Sequence, residues 1–210
     1  KADVVYEILA EGGITRFLAL FLGSQCEEIG PVRSSRPYFL DYAMEYDSIY
    51  VHYGASPQAY TDLKKLKINA IDGIYDSVTF WRDKSRKAPH NAYTNSEKIL
   101  STSEKRAFLK EPDFKTWTFR ENSQPQGEAL DEFKLIYSNN YKVTYKYNSE
   151  ENRYYRYINS KPHTDRNTGE HLSATNIIVQ FLNTKVIDNV GRLEIKTVGS
   201  GKAYYISNGV

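Results

Sequence analysis

Two arginines and two serines stand together in Gly30-Pro31-Val32-Arg33-Ser34-Ser35-Arg36-Pro37. Guanidinium groups grip phosphate or carboxylate through paired, parallel hydrogen bonds. The segment runs into a helix. Ser34 or Ser35 supplies the N-cap, Pro37 suits the first turn, and Phe39, Tyr42, Ala43 and Tyr46 recur at helical spacing. A helix N-terminus adds outward N–H groups and partial positive charge. Arg33, Ser34 and Arg36 therefore make a candidate anion site. The alternative is that both arginines pair with acids of this same chain, such as Glu7, which stands near Glu11 and Arg16 at the first turn.

Two more loops carry polar chemistry. His52 closes a short strand, and Ser56 with Pro57 opens a second helix. His90 and Asn91 end a loop that also holds Arg82, Lys84, Arg86 and Lys87. Ligands in open α/β sheets gather where strands end and helices begin. Loops sharing one sheet edge would bring Arg33, Ser34, Arg36, His52, Ser56, His90 and Asn91 into one ligand-binding pocket. A histidine there can act as general acid or base; equally, each histidine can simply bond main chain. No Gly-x-Ser-x-Gly elbow is present, and Glu27 and Glu28 would raise rather than lower the pKa of the single cysteine, Cys26. His163, Asp165 and His171 could bind zinc, but a turn held by Asp165 and Thr168 explains the same residues, so no metal is expected. Neither is a cofactor, as no phosphate-cradling glycine loop occurs.

The elements that must position these groups fall into two parts. Up to about residue 112, strands and helices alternate: two strands around Glu11-Gly12-Gly13, the helix after Pro37, a strand at 48–52, the helix after Ser56, a strand near 78–81, and a helix capped by Thr94. Ser123-Gln124-Pro125-Gln126-Gly127 reads as a linker. Beyond it the hydrophobic period is two. Tyr141, Val143, Tyr145 and Tyr147 share one strand face, and residues 153–158 answer them across a hairpin turn. The expected fold is α+β: an N-terminal α/β layered domain with a mixed sheet over 1–122, then a smaller, mainly-β domain over 123–210.

Composition agrees with a globular protein of 210 residues, 40% hydrophobic and 26% charged. Lys and Arg exceed Asp and Glu by only two, 28 against 26, which argues against a nucleic-acid surface. Tyrosine is frequent, at 18 residues, as suits strand faces at a solvent boundary or a sugar-binding surface. One cysteine excludes an internal disulfide. No signal peptide or membrane span is visible in these residues.

Five short pieces, in order, carry a resemblance: Ala2-Asp3-Val4-Val5-Tyr6-Glu7, Thr15-Arg16-Phe17, Gly30 to Tyr38, His52-Tyr53-Gly54-Ala55-Ser56-Pro57, and Lys87-Ala88-Pro89-His90-Asn91. Tyr154-Tyr155-Arg156, His163-Thr164-Asp165 and Ala174 to Val179 extend it. The chain resembles the YerB-like lipoprotein family of Gram-positive bacteria, a family of unknown function. The resemblance implies two domains and a lipid-anchored place on the outer face of the bacterial cytoplasmic membrane, with the anchor outside these residues. Abundant anionic wall polymers and phosphate-linked lipids make such a ligand the first expectation. A hydrolase or transferase using the same pocket, and a protein-interaction scaffold with no small-molecule site, are the alternatives.

Overall fold

The hairpin at the start of the chain belongs to both halves of the molecule. Strands β1 (Val4–Leu9) and β2 (Thr15–Leu20) pair around a single 3-10 turn at Glu11–Gly13. In this computed structural model, which describes residues 2–118 and 127–210, the chain divides into two compact units. The first is Lys1–Tyr6 with Phe17–Trp117; the second is Glu7–Arg16 with Thr118–Val210. The hairpin tip thus groups with the C-terminal half, where chain order placed it in the first domain. Four of the five residues of the expected linker, 123–126, lie outside the described residues.

The first unit continues with α1 (Pro37–Glu45), β3 (Tyr50–His52), α2 (Pro57–Lys65), β4 (Ala70–Asp72), β5 (Trp81–Arg82), β6 (Ala92–Tyr93) and α3 (Ser96–Lys105). Its strands pair two by two: β3 with β4 in parallel, β5 with β6 antiparallel. The segment 29–35 joins these ribbons. Ile29 exchanges main-chain bonds with Thr94, Val32 N–H donates to Ala92 O, Tyr53 N–H to Arg33 O, and Ser35 N–H to Gly54 O. It therefore lies antiparallel to β6 on one side and parallel to the chain after β3 on the other. This is how the mixed layer arises. Gly30 is required because a Cβ there would stand 2.4 Å from the Tyr93 ring. Tyr38, Phe39, Leu40 and Ala43 of α1, with Ala59, Ile71, Phe80 and Tyr93, fill the core.

Helix starts show which polar groups were free to cap. Pro57 and Pro37 both take first-turn positions, and Ser56 caps α2 by accepting from Ala59 N–H. At α1 neither serine caps: the N-cap is Arg36, with no side-chain bond, because Ser34 donates to Tyr53 O and Ser35 is buried under the Tyr50 hydroxyl. At α3 the cap is Asn95, not Thr94, whose hydroxyl is buried and donates to Thr79 O. The strand expected near 78–81 is shorter. Asp76 turns the chain by accepting from the N–H groups of Val78 and Thr79, so pairing begins only at Trp81.

The second unit is almost wholly β, as the period of two requires. Strands β7 (Glu132–Ser138), β8 (Tyr141–Asn148), β9 (Arg153–Ile158), β10 (Lys161–Pro162) and β11 (Ser173–Ala174) form one sheet, with β10 and β11 sharing the far edge of β9. Two ribbons follow, β12 (Asn176–Gln180) with β15 (Ala203–Ser207), and β13 (Thr184–Val186) with β14 (Leu193–Ile195). Val143, Tyr154, Leu193, Ile195 and Ile206 are its buried apolar centre.

Candidate functional site

The joining segment 29–35 sets one wall of a cleft of about 390 Å³ in the first unit. Val32, Arg33 and Ser34 line that wall; Tyr53, Gly54, Ala55 and Tyr60 line the floor; Ile74, Arg82 and Pro89 complete it. Arg33 is steadied by donating from Nη1 to Pro89 O. Arg82 lies over the Tyr53 ring, its guanidinium carbon 4.4 Å from the ring centre, and donates from Nη1 to Asn91 Oδ1 at 2.7 Å. Asn91 in turn donates to the carbonyls of Asp83 and Arg86, which pins the loop that carries Arg82. Two guanidiniums from distant segments thus face one concavity.

The floor is fixed by Asp72. Its Oδ1 accepts from Gly54 N–H at 2.7 Å and Ile74 N–H at 2.9 Å, and its Oδ2 accepts from the Tyr60 hydroxyl at 2.8 Å. Gly54 has φ of +74°, a conformation glycine adopts without the penalty of a Cβ. Burial, then the bond to Asp72, pushes the Tyr60 phenol up to about 12. It is therefore a fixed, neutral donor rather than an acid–base group at neutral pH.

The expected residues separate under this geometry. Arg33 and Ser34 line the cleft, and Asn91 acts one step back through Arg82. Arg36 is not among the lining residues and donates to the carbonyl of Ser35. Ser56 is buried as a helix cap. His90 is exposed on its loop and also lies outside the lining set. His52 is 2% exposed, stacks on Tyr50 and hydrogen-bonds through Nδ1 to Gly54 O at 2.8 Å. A carbonyl only accepts, so Nδ1 carries the proton. Sequence reasoning left Arg82 in a generic basic loop and missed Tyr53, Tyr60 and Asp72. The usable signal was the strand-end position of Tyr53 and Asp72, where α/β sheets place ligands.

Burial holds His52 below its ordinary value near 6.5, outweighing the Gly54 bond and Asp72, whose Oδ1 is 3.9 Å away. The unfolded chain then takes up a proton that the folded ring refuses. This contribution to stability is full above about pH 6.5 and falls away as pH drops below it. By urea unfolding, the wild type should lose stability from pH 7 to pH 5. His52→Asn, which can keep a donor near the Nδ1 position, should flatten part of that slope; an unchanged slope refutes the assignment. His163 is also held low by burial, then by Arg156, so some slope persists.

Glu7 and Glu11 each take an arginine partner within the second unit. Glu11 pairs with Arg16 at 2.7 Å, and Glu7 pairs with Arg156 inside the second unit. His163 accepts from Arg156 through Nδ1, and His171 donates to Arg156 O. Asp165 accepts from the N–H groups of Asn167 and Thr168, the turn expected as the alternative to zinc. Among the described residues no three His, Cys, Asp or Glu side chains assemble a metal site, and no helix is long and apolar enough to cross a membrane.

Comparison with known proteins matches residues 1–109 to the "Protein of unknown function (DUF3048) N-terminal domain" and 133–210 to the corresponding C-terminal domain. A Bacillus subtilis (strain 168) protein named "Putative lipoprotein YerB" is 34% identical over 213 residues, covering 100% of this chain. The chain spans 64% of that relative's length. The crystal structure of YerB protein from Bacillus subtilis superposes with a TM-score of 0.88 at 34% identity, covering 100% of this chain and 72% of the other.

Proposed function

The chain belongs to the DUF3048 family, and from that premise we propose that it is a binding module for an anionic cell-envelope ligand, a phosphate-linked lipid or glycopolymer. It works at the outer face of the cytoplasmic membrane as part of a lipid-anchored protein, a placement supported by the lipoprotein name of its relative. The observation that carries the binding reading is the pair Arg33 and Arg82, brought from segments far apart in sequence onto one cleft. Ala55, next to the α2 cap, also lines it, so the positive end of that helix adds to the field. Val32, Ile74 and Pro89 give apolar wall beside the charges, which suits a phosphate esterified to a carbon skeleton.

The enzymatic alternative required His52 or His90 to move protons in the pocket. His52 is sealed in the core and His90 lies outside the lining set, so binding is the reading the geometry favours.

Thermal unfolding with phosphate, pyrophosphate, prenyl phosphates and wall glycans tests it. A ligand at a hundred times its Kd stabilises the folded form by about 2.7 kcal/mol. The wild type should show a raised Tm with at least one of these, Arg33→Ala/Arg82→Ala should lose the shift, and Arg36→Ala should keep it. No shift with any ligand, or one that survives the double substitution, overturns the proposal.

A further inference from the structure

The β13–β14 hairpin of the second unit shows a different kind of surface. Leu193 and Ile195 of β14 are buried and fasten it to its unit. The opposite strand and the turn are bare: Val186 is 65% exposed, Ile187 53% and Val190 68%. Soluble surfaces rarely gather three such aliphatics within five residues of a tip without a partner.

Charge says which partner. The hairpin carries two acids, and each is neutralised locally. Asp188 accepts from the N–H groups of Val190 and Arg192 and pairs with the Arg192 guanidinium at 2.8 Å, while Glu194 pairs with Lys185 across the strands. What is left is basic. Lys196 stands at the base, where its N–H meets Asn183 O. Lys202, six residues on, accepts through its carbonyl from Phe181 N–H, two residues before Asn183, and its ammonium lies 5.7 Å from the Phe181 ring centre and 4.7 Å from that of Tyr204. Both rings are about half exposed. From the Ile187–Arg192 pairing to the Asn183–Lys196 pairing is four residues, roughly 13 Å of strand.

We propose that this hairpin is a membrane-surface anchor, with Val186, Ile187 and Val190 entering an anionic lipid interface and Lys196, Lys202, Phe181 and Tyr204 meeting its headgroups. The dimensions agree: interfacial amphipathic helices bury their apolar face about 5–10 Å deep, and a hairpin tip at that depth leaves the basic and aromatic base at headgroup level. Aromatic rings and lysines favour that boundary because each has an apolar body and a polar end. This inference is independent of the cleft in the first unit.

Co-sedimentation of the 210-residue chain with phosphatidylglycerol/phosphatidylcholine vesicles and with pure phosphatidylcholine vesicles tests it. The chain should pellet with the anionic vesicles at 0.1 M salt, and far less with the neutral ones. Ile187→Asp/Val190→Asp, at exposed positions, should keep its Tm and lose the binding. Lys196→Ala/Lys202→Ala should bind roughly fivefold more weakly for each lysine removed. Failure to pellet with anionic vesicles, equal binding to both lipids, or full binding by the tip variant each overturns the proposal.

Discussion

Arg156→Met should destabilise the second unit by about 3–5 kcal/mol, the cost of leaving one partner of a buried ion pair alone. The Arg156 side chain is 4% exposed and that of Glu7 11%. The guanidinium spans the carboxylate with two bonds, Nε to Oε2 and Nη2 to Oε1. Thr15 completes the shell by donating to Oε1 at 2.8 Å, and Tyr145 approaches Oε2. Burial, then the Glu7 charge, pushes the Tyr145 phenol up, so that ring stays neutral and cannot replace the cation. Methionine fills the stem's volume and leaves Glu7 without its counter-charge. Two companions separate charge from packing. Glu7→Gln alone should also be costly, because it strands Arg156. Glu7→Leu/Arg156→Met should recover most of the loss, since an apolar pair of similar size often replaces a buried ion pair with little penalty. The measurement is urea unfolding of all four proteins followed by tyrosine fluorescence. A double variant no better than Arg156→Met would show that hydrogen-bond geometry, rather than the stranded charge, carries the stability. Because the pair is out of water, its contribution should barely change between low and 0.5 M salt.

This pair also marks where sequence reading stops. Local rules placed what is decided locally: prolines opening α1 and α2, the glycine turn between β1 and β2, and the alternation that makes β8 and β9 a hairpin. Glu7 and Arg156 lie 149 residues apart, and nothing near either names the other. Sequence reading favours Arg33 or Arg36 as the partner of Glu7, whereas the hairpin tip that carries Glu7 groups with the unit that holds Arg156. The caps failed for a related reason. Ser34, Ser35 and Thr94 have capping chemistry, but tertiary main-chain and hydroxyl partners claim them first. In the candidate site, Arg33 was legible from its charge and its place before a helix. Arg82 was hidden among Lys84, Arg86 and Lys87, which look the same in sequence. What distinguishes it is the Tyr53 face beneath it and the Asn91 side-chain oxygen, Oδ1, beside it. Of the two roles the sequence offers His52, proton transfer or a main-chain bond, the structure shows the bond, to Gly54 O, and β3, a strand only three residues long, buries both its ends.

Asp72→Ala should cost about 2–4 kcal/mol and abolish anion binding while leaving both cleft arginines in place. The carboxylate answers three donors, the main-chain N–H groups of Gly54 and Ile74 and the Tyr60 hydroxyl. Leaving a donor unsatisfied costs about 1–3 kcal/mol where water cannot reach it, and less at Ile74, which is open to solvent. The functional effect follows from shape. Gly54 keeps its left-handed turn because Asp72 receives its N–H, and that turn presents Ala55 and the Tyr60 ring as the cleft floor. Asp72→Asn separates the two contributions. It keeps one acceptor for Gly54 and Ile74 and removes a negative charge from beneath a site proposed for anions. Stability should fall by only about 1 kcal/mol, the scale of one charge-assisted bond exchanged for a neutral one, and anion affinity should hold or rise. Measured by urea unfolding and by ligand-induced Tm shift, the order of binding should be Asn at or above wild type, with Ala far below. If Asp72→Ala binds as well as wild type, the floor is not what shapes the site and the arginines act without it. If Asp72→Asn loses binding as fully as Ala, the carboxylate's charge holds the Tyr60 and Gly54 donors in a way an amide cannot match, and the site depends on that charge rather than being opposed by it.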